Sequence, residues 1–185
     1  MKYRKKVNLV ILIVLSAFFV IWTTLFININ KRFPQSKLEM YGVNENIGWN
    51  NLNISPVSVS IYTAKELKRI YPDDIEDYDM DSNNILAIFK VKISNNTDQD
   101  IKFKLHPEIF ADTNPVVWYN GVHQVGNKIT TIPANSKDVE VLLAGTMGES
   151  IVNRDYWNKE KLAKCEYHLV FSYYPFKRCL TFNYS

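Results

Sequence analysis

The longest apolar stretch of the chain lies close to its N-terminus. Residues 7–27 carry no ionisable side chain, and the next charged residue is Lys31. As an α-helix these 21 residues would be roughly 30 Å long, which matches the hydrocarbon thickness of a bilayer. The pattern therefore predicts a transmembrane anchor over residues 7–27.

The charges on either side of this segment predict its orientation. Four basic residues precede it, in residues 1–6, and two follow it, Lys31 and Arg32. Because the more basic flank stays in the cytoplasm, residues 1–6 are expected to be a cytoplasmic tail and everything after the anchor to be extracytoplasmic. The protein would then be a single-pass protein of the cell membrane.

A cleaved signal peptide and a pilin-type leader are the competing interpretations of this segment. A secretory signal has an apolar region of about 7 to 15 residues followed by a small-x-small cleavage site. This apolar segment is longer, and residues 22–28 contain no such site. The sequence favours an uncleaved signal anchor. A lipoprotein is excluded because the first cysteine is Cys165.

Beyond the anchor, a polar stalk is expected over residues 28–40, followed by one extracytoplasmic domain over residues 41–185. In residues 52–62, Val57, Val59 and Ile61 alternate with polar residues, which predicts a strand with one buried face. A short helix follows, with Thr63 as N-cap, Glu66 at the capping-box position and Pro72 at its end. Its buried face would carry Leu67 and Ile70.

The clearest strand pattern covers residues 85–105. Apolar residues alternate from Ile85 to Ile93 and again from Ile101 to Leu105, on either side of a polar turn, which predicts an antiparallel hairpin. Its other face would place Lys92 opposite Lys102, and Lys90 opposite Lys104. Since like charges directly opposite each other are unfavourable, a neighbouring strand should supply acid. We expect residues 137–143 to lie beside residues 85–94, with Asp138 or Glu140 near Lys90 or Lys92.

The second half of the chain carries further turn and strand signals. Asn120-Gly121 predicts a two-residue type I′ hairpin pairing Trp118 with His123 and Tyr119 with Val122. A short helix is expected over residues 155–163, and strands over 167–173 and 180–184. About seven short strands without a βαβ alternation predict a mainly β, antiparallel β-sandwich with one or two short helical insertions.

Three segments carry a resemblance to a known group of proteins. They are residues 49–55 (WNNLNIS), 88–103 (IFKVKISNNTDQDIKF) and 132–141 (IPANSKDVEV). This pattern resembles the immunoglobulin-like extracytoplasmic domains of uncharacterised membrane-anchored or lipoprotein-type proteins of Gram-positive bacteria. The resemblance covers roughly residues 45–185 and implies an immunoglobulin-like sandwich at the cell surface, without catalytic residues to transfer. The acidic insertion at 73–81 and the long segment 145–164 depart from it.

The net charge of the whole chain is misleading about its partners. The chain is +3 overall, with 22 basic and 19 acidic residues, but six of the basic residues lie at or before Arg32 and no acidic residue does. Residues 33–185 therefore carry 16 basic and 19 acidic residues, a net charge of −3. The basic excess is a topology signal, and nucleic acid is not expected as a partner.

The sequence contains few candidate metal or catalytic residues. Asp77, Asp79 and Asp81 have the spacing of the first ligands of a calcium loop, but Ser82 replaces the required glycine and Ile88 the closing glutamate. Residues 73–81 are thus expected to be a solvated acidic loop, with a looser calcium site as the alternative. The three histidines, His106, His123 and His168, form no known catalytic or metal motif. We expect no enzyme activity, no metal and no cofactor.

The two cysteines, Cys165 and Cys179, are expected at opposite ends of the last hairpin, which would turn near residues 175–178. In that arrangement they would not face each other. The sequence favours two reduced thiols, and a disulfide formed in a different register is the alternative.

The predicted function is that of a binding or interaction module anchored through residues 7–27, with a protein, peptide or cell-envelope partner. An accessory or immunity role is the alternative, for example protection against a bacteriocin or support of an envelope transporter. Candidate surface residues are exposed aromatic and basic side chains: Trp118, Tyr119, Trp157, Tyr173, Tyr174, Lys90, Lys92, Lys102 and Lys104. Of these, Trp118 is also expected as a core residue, as a tryptophan in the middle of a sandwich strand usually is.

Overall fold

The computed structural model describes residues 2–72, 83–105, 109–116 and 118–182. Its contacts divide the chain into two units, residues 1–37 and residues 38–185. The first unit is built on helix α1, Lys2–Arg32. Within it, residues Ile11–Arg32 are long and apolar enough to cross a membrane by length and composition.

The predicted stalk is divided between two regular elements. Residues 28–32 continue α1, and strand β1 begins at Lys37. Only residues 33–36 of the expected stalk therefore lie outside a helix or strand. Asn30, in the last turns of α1, donates its side-chain N–H to Phe26 O within the helix.

The second unit is a β-sandwich of two five-stranded sheets. Sheet I has the order β2-β3-β4-β10-β8, and its strands are β2 Ile47–Trp49, β3 Leu52–Thr63, β4 Ile85–Ser94, β8 His123–Val125 and β10 Val139–Met147. Sheet II has the order β1-β12-β11-β6-β7, and its strands are β1 Lys37–Tyr41, β6 Phe110–Asn114, β7 Trp118–Gly121, β11 Glu166–Ser172 and β12 Phe176–Phe182.

Smaller elements complete this unit. Strands β5 Ile101–Lys102 and β9 Thr131–Ile132 pair with each other, helix α2 is Ala64–Ile70, a 3-10 helix covers Arg154–Tyr156, and helix α3 is Lys159–Leu162. The predicted helix over residues 155–163 is thus replaced by two shorter helical turns.

One hydrophobic core lies between the two sheets. Alternate residues of β4, from Ile85 to Ile93, face it from sheet I, as the alternation predicted. From sheet II, Tyr167 and Phe182 meet Phe89 edge to face, with ring centroids 6.1 and 5.1 Å apart. The sequence prediction of a mainly β sandwich is confirmed.

The other side of β4 explains why Leu86 and Ile88 interrupt its polar face. These two residues pack with Ala64 and Leu67 of α2 in a second, smaller apolar cluster. Helix α2 has the predicted capping box between Thr63 and Glu66, and Leu67 is buried. Ile70 is exposed, so the prediction that it shares the buried face is wrong. The helix ends at that residue, where no strand covers it.

Strand β3 also departs from simple alternation. Its register with β4 shifts between Pro56 and Ser58, so that Val57 is the extra residue of a bulge and is exposed. Val59 and Ile61 are buried as predicted. On the N-terminal side of the bulge, the buried residues include Leu52 and Ile54. A strict alternation counted back from Val59 would have placed the buried positions at odd-numbered residues there.

The predicted hairpin over residues 85–105 is wrong. Strand β4 is bordered by β3 and β10, while β5 pairs with β9, so Lys92 does not face Lys102. Asn95 redirects the chain: it is buried, and its side-chain amide donates to Gln99 O and Ile132 O. Phe103 and Leu105 are nevertheless buried. Their alternation with polar residues predicts a buried face without specifying the strand that they pair with.

The expected acidic neighbour of β4 is confirmed. Strand β10 pairs antiparallel with β4, with Glu140 opposite Lys92. The Glu140 carboxylate lies 2.8 Å from Lys90 Nζ, one position along the same face. This surface pair is solvated, and it partly neutralises the positive charge of Lys90 and Lys92.

The predicted Asn120-Gly121 hairpin is also wrong. Strand β7 pairs with β6 in sheet II, whereas β8 pairs with β10 in sheet I, so the chain crosses between sheets at Val122. The Asn120 side chain donates to Thr146 O at 2.9 Å instead of supporting a tight turn. An Asn-Gly pair is compatible both with a tight hairpin turn and with a chain that crosses from one sheet to the other. Hydrogen bonds to distant residues decide which of the two forms.

The last two strands form the expected hairpin, and it places the cysteines apart. Cys179 pairs with Val170, while Cys165 precedes the other end of β11. Both thiols are free and buried. The turn lies over residues 173–175, slightly earlier than predicted.

Candidate functional site

The outer face of sheet II carries a cluster of charged side chains from three adjacent strands. In β6, Ala111 belongs to the core, so Asp112, the next residue along the strand, points to the opposite face. His168 of β11 lies directly opposite Asp112 in the register of these two strands. Lys177 of β12 reaches the same carboxylate from the other side.

Both carboxylate oxygens of Asp112 are hydrogen-bonded. His168 Nδ1 lies 2.7 Å from Asp112 Oδ1, and Lys177 Nζ lies 2.8 Å from Asp112 Oδ2. His168 Nε2 is 3.4 Å from a second carboxylate, that of Glu166, without the alignment of a hydrogen bond. Two acidic and two basic groups thus alternate along a short row, Glu166, His168, Asp112 and Lys177.

This arrangement shifts the protonation of its central pair. Burial would raise the pKa of Asp112, but hydrogen bonds and charges from His168 and Lys177 outweigh burial and lower it. Burial would lower the pKa of His168, but Asp112 and Glu166 outweigh it and raise that pKa. The cluster therefore favours an imidazolium between two carboxylates.

Three aromatic rings stand beside the charged cluster. Phe110 and Tyr119 are stacked with centroids 5.1 Å apart, and Tyr173 lies 6.1 Å from Phe110 and 6.4 Å from Tyr119. Lys177 Nζ is 5.9 Å from the Tyr173 ring centroid, within cation–π range. Tyr119 is 56% exposed and Tyr173 42% exposed, so much of this aromatic surface faces solvent.

Together these groups border an open depression, which we call the sheet II hollow. Its volume is about 610 Å³, and it is lined by Asp112, Thr113, Asn114, Tyr119, His168, Tyr173 and Lys177. Volumes of this order are typical of small-molecule sites.

Near the hollow, two hydroxyl groups form hydrogen bonds to backbone carbonyls, and one cysteine thiol is buried. Thr113 Oγ1 donates to Glu166 O at 2.7 Å, and Ser172 Oγ donates to Phe176 O at 2.9 Å. Burial raises the pKa of Cys179 to about 11, with smaller contributions from Asp112 and Glu166, while Lys177 opposes the shift. A buried thiol with such a pKa is protonated and unreactive at neutral pH.

The aromatic residues singled out from the sequence have different positions. Trp118 is only 2% exposed, and its indole N–H donates to Thr146 O, so as a surface candidate it is corrected to a core residue. Trp157 is half-buried and packs against the main core. Of the five aromatic candidates, Tyr119 and Tyr173 line the hollow.

The candidate lysines do not form the expected common face. Lys90 and Lys92 lie on β4 in sheet I, and Lys90 pairs with Glu140. Lys102 belongs to the β5–β9 pair, and Lys104 follows it in an exposed position. The reason is the absent β4–β5 hairpin, which the sequence pattern had wrongly predicted.

Sequence reasoning missed Asp112, His168 and Lys177 as a cluster. The spacing of His168 to the other histidines gives no signal for it. The available signal was the alternation of β11, where Tyr167 and Leu169 are buried and His168 must face outward. No pattern pointed to Asp112, which is 56 residues from His168 in the sequence.

The remaining candidates concern metal binding. The acidic loop at residues 73–81, with its alternative calcium site, and His106 lie outside the described residues. Among the residues that the structure describes, no group of three or more histidine, cysteine, aspartate or glutamate side chains is arranged to hold a metal ion.

The two antiparallel sheets around one core define the class of the protein as a β-sandwich. No family model matches the chain, and no curated protein sequence matches it either. The fold is similar to the crystal structure of an uncharacterised β-sandwich protein from Clostridium difficile 630, a Gram-positive bacterium. The TM-score is 0.50 at 13% sequence identity, and the match covers 80% of this chain and 95% of the other. At this identity the likeness shows the fold alone.

Proposed function

We propose that the protein is a membrane-anchored, extracytoplasmic binding module that contacts its ligand through the sheet II hollow. The observation that carries this proposal is the exposed aromatic wall of Tyr119 and Tyr173 next to a charged cluster whose members already pair with one another. Exposed tyrosines give a large, stiff contact area at a small cost in side-chain entropy.

Membrane anchoring is supported by the composition of α1 and by its internal hydrogen bonds. Thr23 and Thr24 donate their hydroxyl groups to the carbonyls of Phe19 and Val20, at 2.7 and 2.8 Å. Polar side chains that are satisfied within the helix are compatible with a hydrocarbon environment, where water is absent. The basic residues of the N-terminal tail support a cytoplasmic N-terminus.

An immunoglobulin-like identity of the sandwich is supported by its strand order. When β3, β4, β10 and β8 are assigned to strands A, B, E and D, sheet I has the order of the first immunoglobulin sheet. Assigning β6, β11 and β12 to strands C, F and G reproduces the second sheet, with β7 and β1 added at its two edges. The chain passes through these strands in the immunoglobulin sequence.

Binding, rather than catalysis, is favoured by the chemistry around His168. Both of its ring nitrogens face carboxylates, and these two acidic groups outweigh burial and raise the pKa of His168, so the imidazole is engaged in ion pairing. The hydroxyls of Thr113 and Ser172 donate to backbone carbonyls, and the Cys179 thiol is buried. The described residues of the cluster therefore act best as a rigid floor of the hollow.

A site-specific crosslinking experiment tests the proposal. The full chain, with an N-terminal tag, would carry p-azidophenylalanine in place of Tyr119 and be expressed in a Gram-positive host. A matched variant would carry the same crosslinker in place of Ile70, which is exposed on α2 beside sheet I. On illumination of intact cells, we expect an envelope adduct at position 119 and little at position 70. External protease should digest the domain and spare the tag.

Two outcomes would contradict the proposal. Equal adducts at positions 119 and 70 would mean that the hollow is not a preferred contact surface. Protection of residues 38–185 from external protease, in cells whose membranes are intact, would place the domain on the other side of the membrane.

A further inference from the structure

We infer that the sheet II hollow binds a neutral oligosaccharide. This inference rests on the proposed function, because it names the class of ligand for the same site. It follows from three properties of the hollow: its paired charges, its exposed aromatic rings and its unused hydrogen-bonding capacity.

The charged side chains of the hollow pair with one another. Asp112 is bonded to both His168 and Lys177, and Glu166 lies beside the second nitrogen of His168. An ionic ligand would lose its hydration without meeting an uncompensated opposite charge, or it would have to break one of these pairs. A neutral ligand avoids both costs.

The aromatic wall offers a surface that suits a sugar ring. Phe110 stacks on one face of Tyr119, and Lys177 Nζ lies over the Tyr173 ring. The faces that these contacts leave uncovered carry the negative part of the ring quadrupole. The C–H groups on one side of a pyranose ring are weakly positive and apolar, so they pack favourably on such a face. Because the two rings are inclined by 66° to each other, successive sugar units or two sides of one unit can make contact.

The polar groups of the hollow match hydroxyl groups. Lys177 has three N–H donors, of which one is directed to Asp112, and Asn114 is exposed at the edge of the hollow. A sugar hydroxyl group can both donate and accept a hydrogen bond. It can therefore bind the Lys177 ammonium or the Asn114 amide while the ligand itself stays uncharged. The open shape and a volume of about 610 Å³ fit a short oligosaccharide or an internal part of a longer chain.

The test uses the full chain in lipid nanodiscs and measures binding by calorimetry. The probes are tetramers of N-acetylglucosamine and of glucose, which distinguish an acetamido sugar from a plain one, and a tetramer of galacturonic acid as the anionic counterpart. We expect saturable binding of at least one neutral tetramer and weaker binding of the acidic one. Tyr119→Ala and Tyr173→Ala should each weaken binding by about fivefold, which corresponds to a lost aromatic contact of about 1 kcal/mol.

Tyr174→Ala is the matched control, because Tyr174 is 53% exposed and does not line the hollow. It should leave the affinity within about twofold, and all three variants should keep the thermal unfolding midpoint of the native chain, since exposed side chains add little stability. Failure of both neutral tetramers to bind, tighter binding of the acidic tetramer, or an equal loss in Tyr174→Ala would overturn the inference.

Failure of this inference can be told apart from failure of the proposed function. If the crosslinker at position 119 captures envelope material while no neutral tetramer binds, the ligand class is wrong and the binding module stands. If position 119 is not preferred over position 70, the proposed function itself fails.

Discussion

Asp112 is the residue on which the candidate site depends. It bonds to His168 and Lys177, and through them it joins three strands of sheet II. Its two partners compensate its charge, so the carboxylate is stable although it is largely buried. The contact with Asp112 also raises the pKa of His168 and makes this part of the fold sensitive to pH.

Replacing His168 with glutamine should reveal that sensitivity. The folded-state pKa of His168 is raised above its ordinary value near 6.5. The proton therefore stabilises the folded state fully below about pH 6.5, and this contribution is lost as the pH rises through the raised pKa. We expect the difference in unfolding free energy between the native chain and His168→Gln to become smaller as the pH rises through the folded-state pKa.

Urea unfolding of the full chain in detergent, followed by tryptophan fluorescence between about pH 5 and 8, measures this difference. Asp112→Asn removes the main partner of the proton and should flatten the same pH dependence. A difference between native and His168→Gln that stays constant with pH would contradict the assignment.

Gly145 illustrates how closely the core is packed at the residue scale. A Cβ atom at this position would lie 2.7 Å from Trp118 Cη2 and 3.3 Å from Ala111 Cβ. We expect Gly145→Ala to destabilise the fold by about 1–3 kcal/mol, as overpacking in a core does. Gly121→Ala is the control, because nothing lies within 4 Å of its Cβ position. Equal free energies of unfolding for the two variants would show that the indole can move aside.

At the scale of elements, sequence signals were reliable where they describe contacts between residues close in the sequence. The capping box of α2 joins Thr63 and Glu66, only three residues apart, and it forms as predicted. The Glu66 carboxylate also accepts from Lys159 Nζ at 2.6 Å, which ties α2 to α3. The hairpin signals failed because a turn signal specifies a change of direction and leaves the pairing partner open.

Removing the cap hydroxyl should weaken α2. Thr63→Ala deletes the oxygen that accepts from Glu66 N at 3.2 Å, and we expect a loss of about 1 kcal/mol in the free energy of unfolding. Thr131→Ala, at an exposed position of β9, should change it by less than about 0.5 kcal/mol. Chemical denaturation of both variants measures the difference, and similar values would mean that the cap contributes nothing.

At the scale of the whole molecule, the sandwich separates two cysteines that the sequence leaves close to each other. Cys179 pairs with Val170, five residues along the chain from Cys165. Five residues of extended chain cover about 16 Å, well beyond the limit of about 7 Å for the Cα atoms of a disulfide. An intramolecular bridge would require a different register of β11 and β12.

The folded protein should therefore keep two free thiols even in an oxidising compartment. Alkylation of the full chain after denaturation without reductant, followed by mass spectrometry, should add two labels. Alkylation before denaturation should add them slowly, because both thiols are buried and have raised pKa values. A chain that accepts no label without reductant would show that the bridge forms.

The sequence by itself determined the features that depend on neighbouring residues. A run of apolar residues is enough for a helix that can span a membrane, a period of two for the mainly β class, and a Thr-x-x-Glu pattern for the α2 cap. The placement of β10 beside β4 was also predicted, because the lysines of β4 needed acid beside them and residues 137–143 carry acid in a strand pattern.

Only the tertiary structure decided which strands meet and which side chains form a site. The pairing of β5 with β9 and the crossing at Val122 depend on contacts between distant segments. The sheet II hollow has the same origin, because Asp112 is 56 residues from His168 and 65 from Lys177. Alternation indicates that a side chain faces outward, but the register of three strands determines which side chains it meets there.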